Sequence, residues 1–126
     1  MIRRRKLRFL VVGAGMSGIL AAIRLREAGH EDVVMLEKAD RLGGTWRENR
    51  YPGLTCDVPA HAYTYSFAPN AEWSRYFAGA DEIRAYFEKV AHDRDVLPLI
   101  RFNREVTDLS FGQGRWTATT RTGERF

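Results

Sequence analysis

Phe9-Leu-Val-Val-Gly-Ala-Gly-Met-Ser-Gly18, FLVVGAGMSG, decides the fold, because an apolar run stops dead at three glycines and an apolar helical pattern starts among them. Leu7 to Val12 is apolar apart from Arg8 and reads as a strand buried on both faces. From Met16 to Ala28 the apolar positions Met16, Ile19, Leu20 and Ile23 fall at helical spacing, and Gly29 supplies the stop. DVVMLE then gives a second short strand, Val33 to Leu36, closed by Glu37. Strand, turn, helix, strand and acid make a βαβ unit over residues 8–37.

Each glycine of Gly13-x-Gly15-x-x-Gly18 has a mechanical task. Gly13 makes the tight turn, Gly15 lets the backbone approach a pyrophosphate, and Gly18 lets the helix pack closely on the strand. The helix N-terminus brings free N–H groups and about half a positive charge to the phosphates. Glu37 at the end of the second strand suits the hydroxyls of an adenosine ribose and repels a 2′-phosphate, which points to FAD or NAD at this site rather than NADP. Ser17 either adds a hydroxyl to the phosphates or caps the helix.

Further along, EKADRLGGTW carries a second glycine pair, Gly43-Gly44, followed by Thr45 and Trp46, so a second backbone segment can approach the same ligand. FAD, which extends past its pyrophosphate into ribityl and isoalloxazine, has more need of that grip than NAD. Residues 40–80 show neither helical nor strand period, and an irregular stretch of that length in a small domain is functional or disordered. Its aromatics, Trp46, Tyr51, Tyr63, Tyr65, Phe67, Trp73, Tyr76 and Phe77, argue against disorder and for a segment that wraps something. Asp81 is expected to cap an amphipathic helix over 81–92, with Ile83, Tyr86, Phe87, Val90 and Ala91 on one face. Beyond Pro98 the pattern is extended: Leu99 to Phe102, Val106 to Phe111, a turn at GQG, RWTATTR, and a last strand begun after Thr122-Gly123.

The 126 residues allow one domain. With 44% hydrophobic and 29% charged residues the chain belongs among soluble globular proteins. Its net charge of +4 owes much to the opening MIRRRKLR, which reads as a solvated tail rather than a nucleic-acid arm or targeting signal. Neither a secretory leader nor a membrane anchor is legible behind it. One cysteine, Cys56, excludes an intrachain disulfide and fits a reducing, cytoplasmic address. No His, Cys or acid cluster has metal-ligand spacing.

Four stretches in order, VVGAGMSG, EKADRLGGTW, NRYPGLTCDVPAHAYTYSF and IRFNREVTDLSF, resemble the N-terminal FAD-binding part of the flavin-dependent monooxygenases that include the Baeyer-Villiger and flavin-containing monooxygenases, the Baeyer-Villiger group most of all. The resemblance runs from Arg8 almost to the end. It implies an α/β, Rossmann-like FAD/NAD(P)-binding fold, a three-layer arrangement of parallel sheet and β-meander left incomplete at the C-terminus. Residues 40–80 would then be a flavin-wrapping loop, and 99–126 strands of the sheet and meander. It implies hydride transfer from NADPH to FAD, reaction with O2, and oxygen insertion into a small ketone to give an ester or lactone. FAD, NADPH, O2 and the ketone are the implied partners, with no nucleic acid and no membrane, and most of the NADPH site lying outside this chain.

The same resemblance assigns residues. Gly13, Gly15, Ser17, Gly18, Glu37, Gly44, Thr45 and Trp46 would hold FAD, Tyr63 would contact it, and the backbone of Val106 would meet the adenine. Thr55, Cys56 and Asp57 match a strip that approaches NADP. Asp57 matches an acid at the active centre that fixes an arginine supplied by later sequence; a buried carboxylate is costly unless paired, and the pair would stabilise developing negative charge. From the residues alone Asp57 is equally a turn-forming Asp between Pro52 and Pro59, Cys56 a packing residue, and His61 a polar loop histidine.

Departures qualify the resemblance. Arg47-Glu48 stands where many members have an aromatic pair, and Thr55 where some have arginine. The second glycine fingerprint, the linker motif of such enzymes and the catalytic arginine are not found, so no turnover is expected of residues 1–126 alone. Other readings are a non-catalytic nucleotide-binding module and another FAD-dependent oxidoreductase. A disulfide reductase would want a redox cysteine pair, and amine oxidases share the fingerprint and the acid but not YPGLTCDVP.

Overall fold

The computed structural model describes residues 6–126; residues 1–5, most of the basic opening run, lie outside the described residues. Three short strands, β1 (Phe9–Val12), β2 (Val33–Leu36) and β3 (Ile100–Arg101), form a parallel sheet in the order β1-β2-β3. Phe9 pairs with Val33, Val12 with Leu36, and Met35 with Ile100. Helix α1 (Met16–Glu27) crosses from β1 to β2, and α3 (Ala80–Asp93) precedes β3. Side chains alternate along a strand. Phe9, Val11, Val33, Met35 and Ile100 therefore share one face, and they join one apolar cluster with Ile19, Ala22 and Ile23 of α1 and Ile83, Tyr86, Phe87, Val90 and Ala91 of α3. Ile19, Met35, Ile83 and Phe87 are fully buried, each contributing about 1.5–3 kcal/mol relative to exposure.

Several expectations need correction. β1 is not buried on both faces: it lies at the sheet edge, none of its residues is fully buried, and Val12 is 54% exposed. Asp81 does not cap α3; Gly79 occupies that position without a side-chain cap, and Asp81 sits in the first turn, where its charge complements the helix dipole. Within 40–80 there is one regular turn, α2 (Thr45–Glu48), too short to show a period. A 3₁₀ turn over Leu97–Leu99, with Pro98 inside it, replaces the start of the expected strand.

The C-terminal part is a two-stranded antiparallel arm, β4 (Val106–Gly112) and β5 (Arg115–Thr120). Gln113 and Gly114 turn with φ of +52° and +77°, the left-handed pair that a two-residue hairpin favours. A third strand begins beside β5: the Ala118 and Phe126 backbones bond each other, and Thr119 bridges Arg125. A parallel sheet with a crossover helix, plus the antiparallel arm, makes an α/β fold of the Rossmann-like type the sequence implied.

Residues 49–79 lack regular structure yet are tied down. Cys56 N–H donates to the Ala78 carbonyl at 3.0 Å, Ala60 N–H to Tyr76 at 2.7 Å, and Ala80 N–H to Leu54 at 3.2 Å, a strand-like seam that fixes the RYPGLTCDVP loop. Tyr65 stacks on Phe67 at 5.1 Å, and its hydroxyl donates to the Met16 carbonyl in the first turn of α1. Tyr86 of α3 donates its hydroxyl to the Ala68 carbonyl at 2.7 Å and accepts the Tyr65 N–H at 3.0 Å. Tyr65 and Trp73 are buried as core anchors, whereas Tyr76 and Phe77 are 68% and 43% exposed, pairing edge-to-face with each other instead of entering the core.

Candidate functional site

The carboxyl ends of the three parallel strands converge on one place. β1 runs into Gly13, whose N–H still bonds the Leu36 carbonyl at 2.8 Å. The chain after β2 is held on its other side, Glu37 N–H donating to Arg101 at 3.0 Å and Arg104 N–H to Glu37 at 2.8 Å. Ligands of open α/β sheets bind outside the carboxyl ends of the strands, so the architecture puts a site at Gly13, Glu37 and the segment after β3.

The glycines are needed where they stand. Gly13 has φ of +97°, a conformation costly for any residue with a Cβ. A Cβ on Gly18 would come within 2.0 Å of the Gly13 carbonyl oxygen; strand and helix touch there, backbone to backbone. Gly15 begins α1 with no side-chain cap, and no acid lies in the first turn. Ser17 is exposed and does not cap, which leaves the first-turn N–H groups of α1 without a side-chain partner. That donor set fits a pyrophosphate.

Glu37 is only 5% exposed. Its Oε2 accepts the Ala14 N–H at 2.7 Å and its Oε1 the Ala39 N–H at 2.9 Å. An ionised carboxylate has about four acceptor positions. With two filled, the remainder are free for ribose hydroxyls. The two backbone donors fix the carboxylate across the gap between the glycine turn and the chain leaving β2.

The second glycine pair folds onto the first. Gly43 N–H donates to the Ala14 carbonyl at 3.0 Å, and a Cβ on Gly44 would meet the Gly15 Cα at 3.1 Å. Gly44, with φ of +54°, starts α2 and brings Thr45 and Trp46 to the same end of the sheet. Trp46 is buried and donates its indole N–H to the Tyr63 hydroxyl at 3.1 Å, the rings meeting edge-to-face at 5.8 Å; Phe87 of α3 backs Tyr63 at 6.4 Å. Asp40 accepts a hydrogen bond from Arg47, which with that cation's charge holds the Asp40 carboxyl below the usual range.

Beside Glu37 opens a polar cleft of about 390 Å³ lined by Lys38, Ala39, Asp40, Arg47, Glu48, Asn103 and Glu105. Val106 follows this rim and pairs with Thr120 at the root of the arm. Thus Gly13, Gly15, Gly18, Glu37, Gly44, Thr45, Trp46 and Tyr63 gather around the two glycine loops, with Val106 beyond the cleft. Thr55 and Asp57 are exposed while Cys56, between them, is 4% exposed in the core, an alternation set by the seam with residues 76–80. Asp57 is therefore not the buried carboxylate expected, and no partner for its side chain is found among the described residues. His61 is exposed.

Gly43 was legible through its glycine pair, whereas Ala14 and Ala39, which act through backbone N–H groups, carry no side-chain signal and were missed. Among the described residues no cluster of His, Cys, Asp and Glu could hold a metal ion, and no helix is long and apolar enough to cross a membrane.

Comparison with known proteins finds one family profile and a set of relatives named as monooxygenases. Residues 11–80 match the profile described as NAD(P)-binding Rossmann-like domain. A Baeyer-Villiger monooxygenase of Streptomyces coelicolor is 49% identical over 92% of this chain and 23% of its own length. An FAD-binding monooxygenase of Dothistroma septosporum is 44% identical over 93% of this chain and 19% of its own. Among solved structures, an oxidized steroid monooxygenase bound to NADP superposes with a TM-score of 0.87 at 40% identity, covering 94% of this chain and 24% of that one. A cyclohexanone monooxygenase from Rhodococcus bound to NADP+ gives 0.88 at 34% identity over the same shares. The chain thus spans less than a quarter of the relatives it matches.

Proposed function

Because the chain belongs to the NAD(P)-binding Rossmann-like domain family, we propose that it is the FAD-binding part of an NADPH- and O2-dependent flavin monooxygenase of Baeyer-Villiger type. The observation that carries this reading is the contact between the two glycine loops at Gly15 and Gly44, closed on one side by the buried Glu37. A single loop suffices for a pyrophosphate; two, with Trp46 and Tyr63 behind the second, suit a dinucleotide that continues into a flavin. The relatives' names, Baeyer-Villiger and FAD-binding monooxygenase, support the same class.

When bound, FAD supplies the redox and oxygen chemistry. The residues of this chain bind and orient. The uncapped first turn of α1 and the backbone at Gly13 to Gly15 hold the pyrophosphate, and Glu37 accepts the hydroxyls of the adenosine ribose. Lys38 and Asn103, which line the cleft beside Glu37, and Val106 next to it in sequence would hold the adenine. Gly44, Thr45, Trp46 and Tyr63 hold the cofactor beyond the pyrophosphate. Tyr63 accepts from Trp46, so its own proton is left to donate to the ligand. Asp57, exposed beside the loop, pairs with an arginine supplied by sequence outside this chain and fixes that guanidinium against developing negative charge. The wrapping role of residues 40–80 belongs to the same proposal, as does a cytoplasmic location.

The test is reconstitution. FAD, NADPH and a panel of small ketones incubated with this chain should give no ester above background. The same mixture supplemented with the unmatched remainder of the Streptomyces coelicolor relative should give ester or lactone. Stoichiometric NADPH consumption by the chain alone, or an assembled flavoprotein inert toward every ketone, contradicts the assignment.

A further inference from the structure

Tyr65 is 7% exposed, and its ring and backbone are both held. The ring stacks on Phe67 at 5.1 Å, with 10° between the planes, and meets Phe87 edge-to-face at 5.4 Å. The backbone N–H donates to the Tyr86 hydroxyl at 3.0 Å, and that hydroxyl donates in turn to the Ala68 carbonyl at 2.7 Å. A ring clamped on these sides fixes where its oxygen sits. The Tyr65 hydroxyl donates to the carbonyl of Met16, the first residue of α1.

A buried tyrosine hydroxyl ordinarily finds some acceptor, and a bond to a loop carbonyl would ask for no further account. The Met16 carbonyl, however, is one that an α-helix already uses for the N–H four residues on, so Tyr65 takes its second lone pair. The same peptide unit carries the N–H of Ser17. With Gly15 as the N-cap, Ser17 is the second residue of the first turn, and its N–H is one of those that the helix leaves unpaired. Such groups point out past the helix N-terminus, where an anion binds. A hydrogen bond accepted by a peptide oxygen strengthens the donor on the same unit, by about 10–30% per bond. Tyr63, two residues before Tyr65, faces the same Phe87 ring at 6.4 Å and accepts the Trp46 indole N–H. One short segment therefore reaches both ends of the site.

We propose that Tyr65 is a positioning residue of the dinucleotide site: its hydroxyl, acting through the peptide unit between Met16 and Ser17, fixes and polarises the Ser17 N–H as a donor to the pyrophosphate. Tyr65 itself touches neither cofactor nor substrate. The inference rests on the pyrophosphate lying at the first turn of α1, and two ligands keep the failure of one separate from the failure of the other.

The experiment titrates the 126-residue protein and Tyr65→Phe with ADP, which carries a pyrophosphate, and with adenosine, which lacks it, followed by amide NMR because that method also registers weak binding. Tyr65→Phe deletes the hydroxyl and keeps the ring. The affinity for ADP should fall about three- to tenfold, while that for adenosine stays the same. Loss of packing alone would weaken both ligands together. In the wild type, which needs no variant to fold, the Ser17 amide resonance should move downfield with ADP and stay in place with adenosine. Equal losses for the two ligands, or a Ser17 resonance that ADP leaves where it was, overturns the proposal. A wild type that binds neither ADP nor FAD brings down the dinucleotide site and this role with it, whereas ADP binding that Tyr65→Phe leaves unaltered brings down this role alone.

Discussion

Glu37 and Ala14 are joined by a 2.7 Å hydrogen bond from the Ala14 N–H, in the middle of the glycine turn, to Oε2 of the carboxylate. The acid is thereby part of the turn's own construction before it is part of a ribose site. Glu37→Gln keeps the shape but offers one acceptor oxygen for two backbone donors, so one N–H faces an NH2 group. The expected cost is about 1.5–3 kcal/mol of stability, read by denaturant unfolding. At least a tenfold loss of FAD affinity should accompany it, since about 1.4 kcal/mol is a factor of ten. A variant as stable as wild type contradicts the structural role of the bond.

The two glycine loops give a graded series. Gly18→Ala sets a Cβ 2.0 Å from a carbonyl oxygen of the turn, a rigid backbone neighbour. Gly13→Ala meets nothing within 4 Å but is forced into φ of +97°. Gly18→Ala should therefore destabilise more, beyond the roughly 1–3 kcal/mol of ordinary overpacking, whereas Gly13→Ala should cost about 1–3 kcal/mol of strain. Thermal unfolding of the two variants side by side checks the order; the reverse order contradicts it.

Trp46 and Tyr63 should behave as a pair. Trp46→Phe removes the N–H and leaves Tyr63 still able to donate, for a hydrogen-bond loss of about 0.5–1.5 kcal/mol beside the packing change. Tyr63→Phe strands the buried indole N–H and should cost about 1–3 kcal/mol. A double-mutant cycle on stability is expected to show coupling of at least about 0.5 kcal/mol. Additive effects contradict the 3.1 Å contact.

Alkaline pH gives an independent check on the aromatic loop. Burial, foremost, and then the neighbouring tyrosines Tyr86 and Tyr63 raise the pKa of Tyr65 well above the ordinary value near 10. Above that value the unfolded chain releases the proton while the folded chain keeps it. The unfolded state then binds fewer protons, and stability falls as pH rises. Tyr86 adds in the same direction, through burial. Tyr65→Phe should flatten the decline of stability above about pH 10, besides losing the bond to Met16. An unchanged slope contradicts the burial of that hydroxyl.

Asp57 should separate function from stability. Exposed and without a side-chain partner among the described residues, it should tolerate Asp57→Asn within about 0.5 kcal/mol. In the reconstituted monooxygenase the same change should depress oxygenation. Full activity there removes Asp57 from the catalytic machinery.

The first half of the fold was legible because strand, glycine turn, helix and acid each impose a local rule that the sequence obeys. Gly29 stopped α1 where a left-handed residue was needed, at φ of +86°, and the apolar positions of α3 fell on one face. What escaped was set by tertiary neighbours. Nothing in FLVV tells an edge strand from an interior one. Asp81 is as good a cap as any by composition, yet the chain enters α3 from the seam with Leu54, which puts Gly79 at the cap position. Tyr76 and Phe77 have the composition of core residues and lie on the surface, where they pack edge-to-face on each other. At the site, side-chain candidates and the Gly43-Gly44 pair were readable, while Ala14 and Ala39 contribute only backbone and were not.

The most direct test is an equilibrium titration of the 126-residue protein with FAD, followed by flavin absorbance and fluorescence, with Glu37→Gln and Gly18→Ala in parallel. The expected result is saturable one-to-one binding with a perturbed flavin spectrum, weakened by the first substitution and abolished by the second. A folded protein that leaves the flavin spectrum unchanged, or binding that both substitutions leave intact, contradicts a dinucleotide site at the glycine turn.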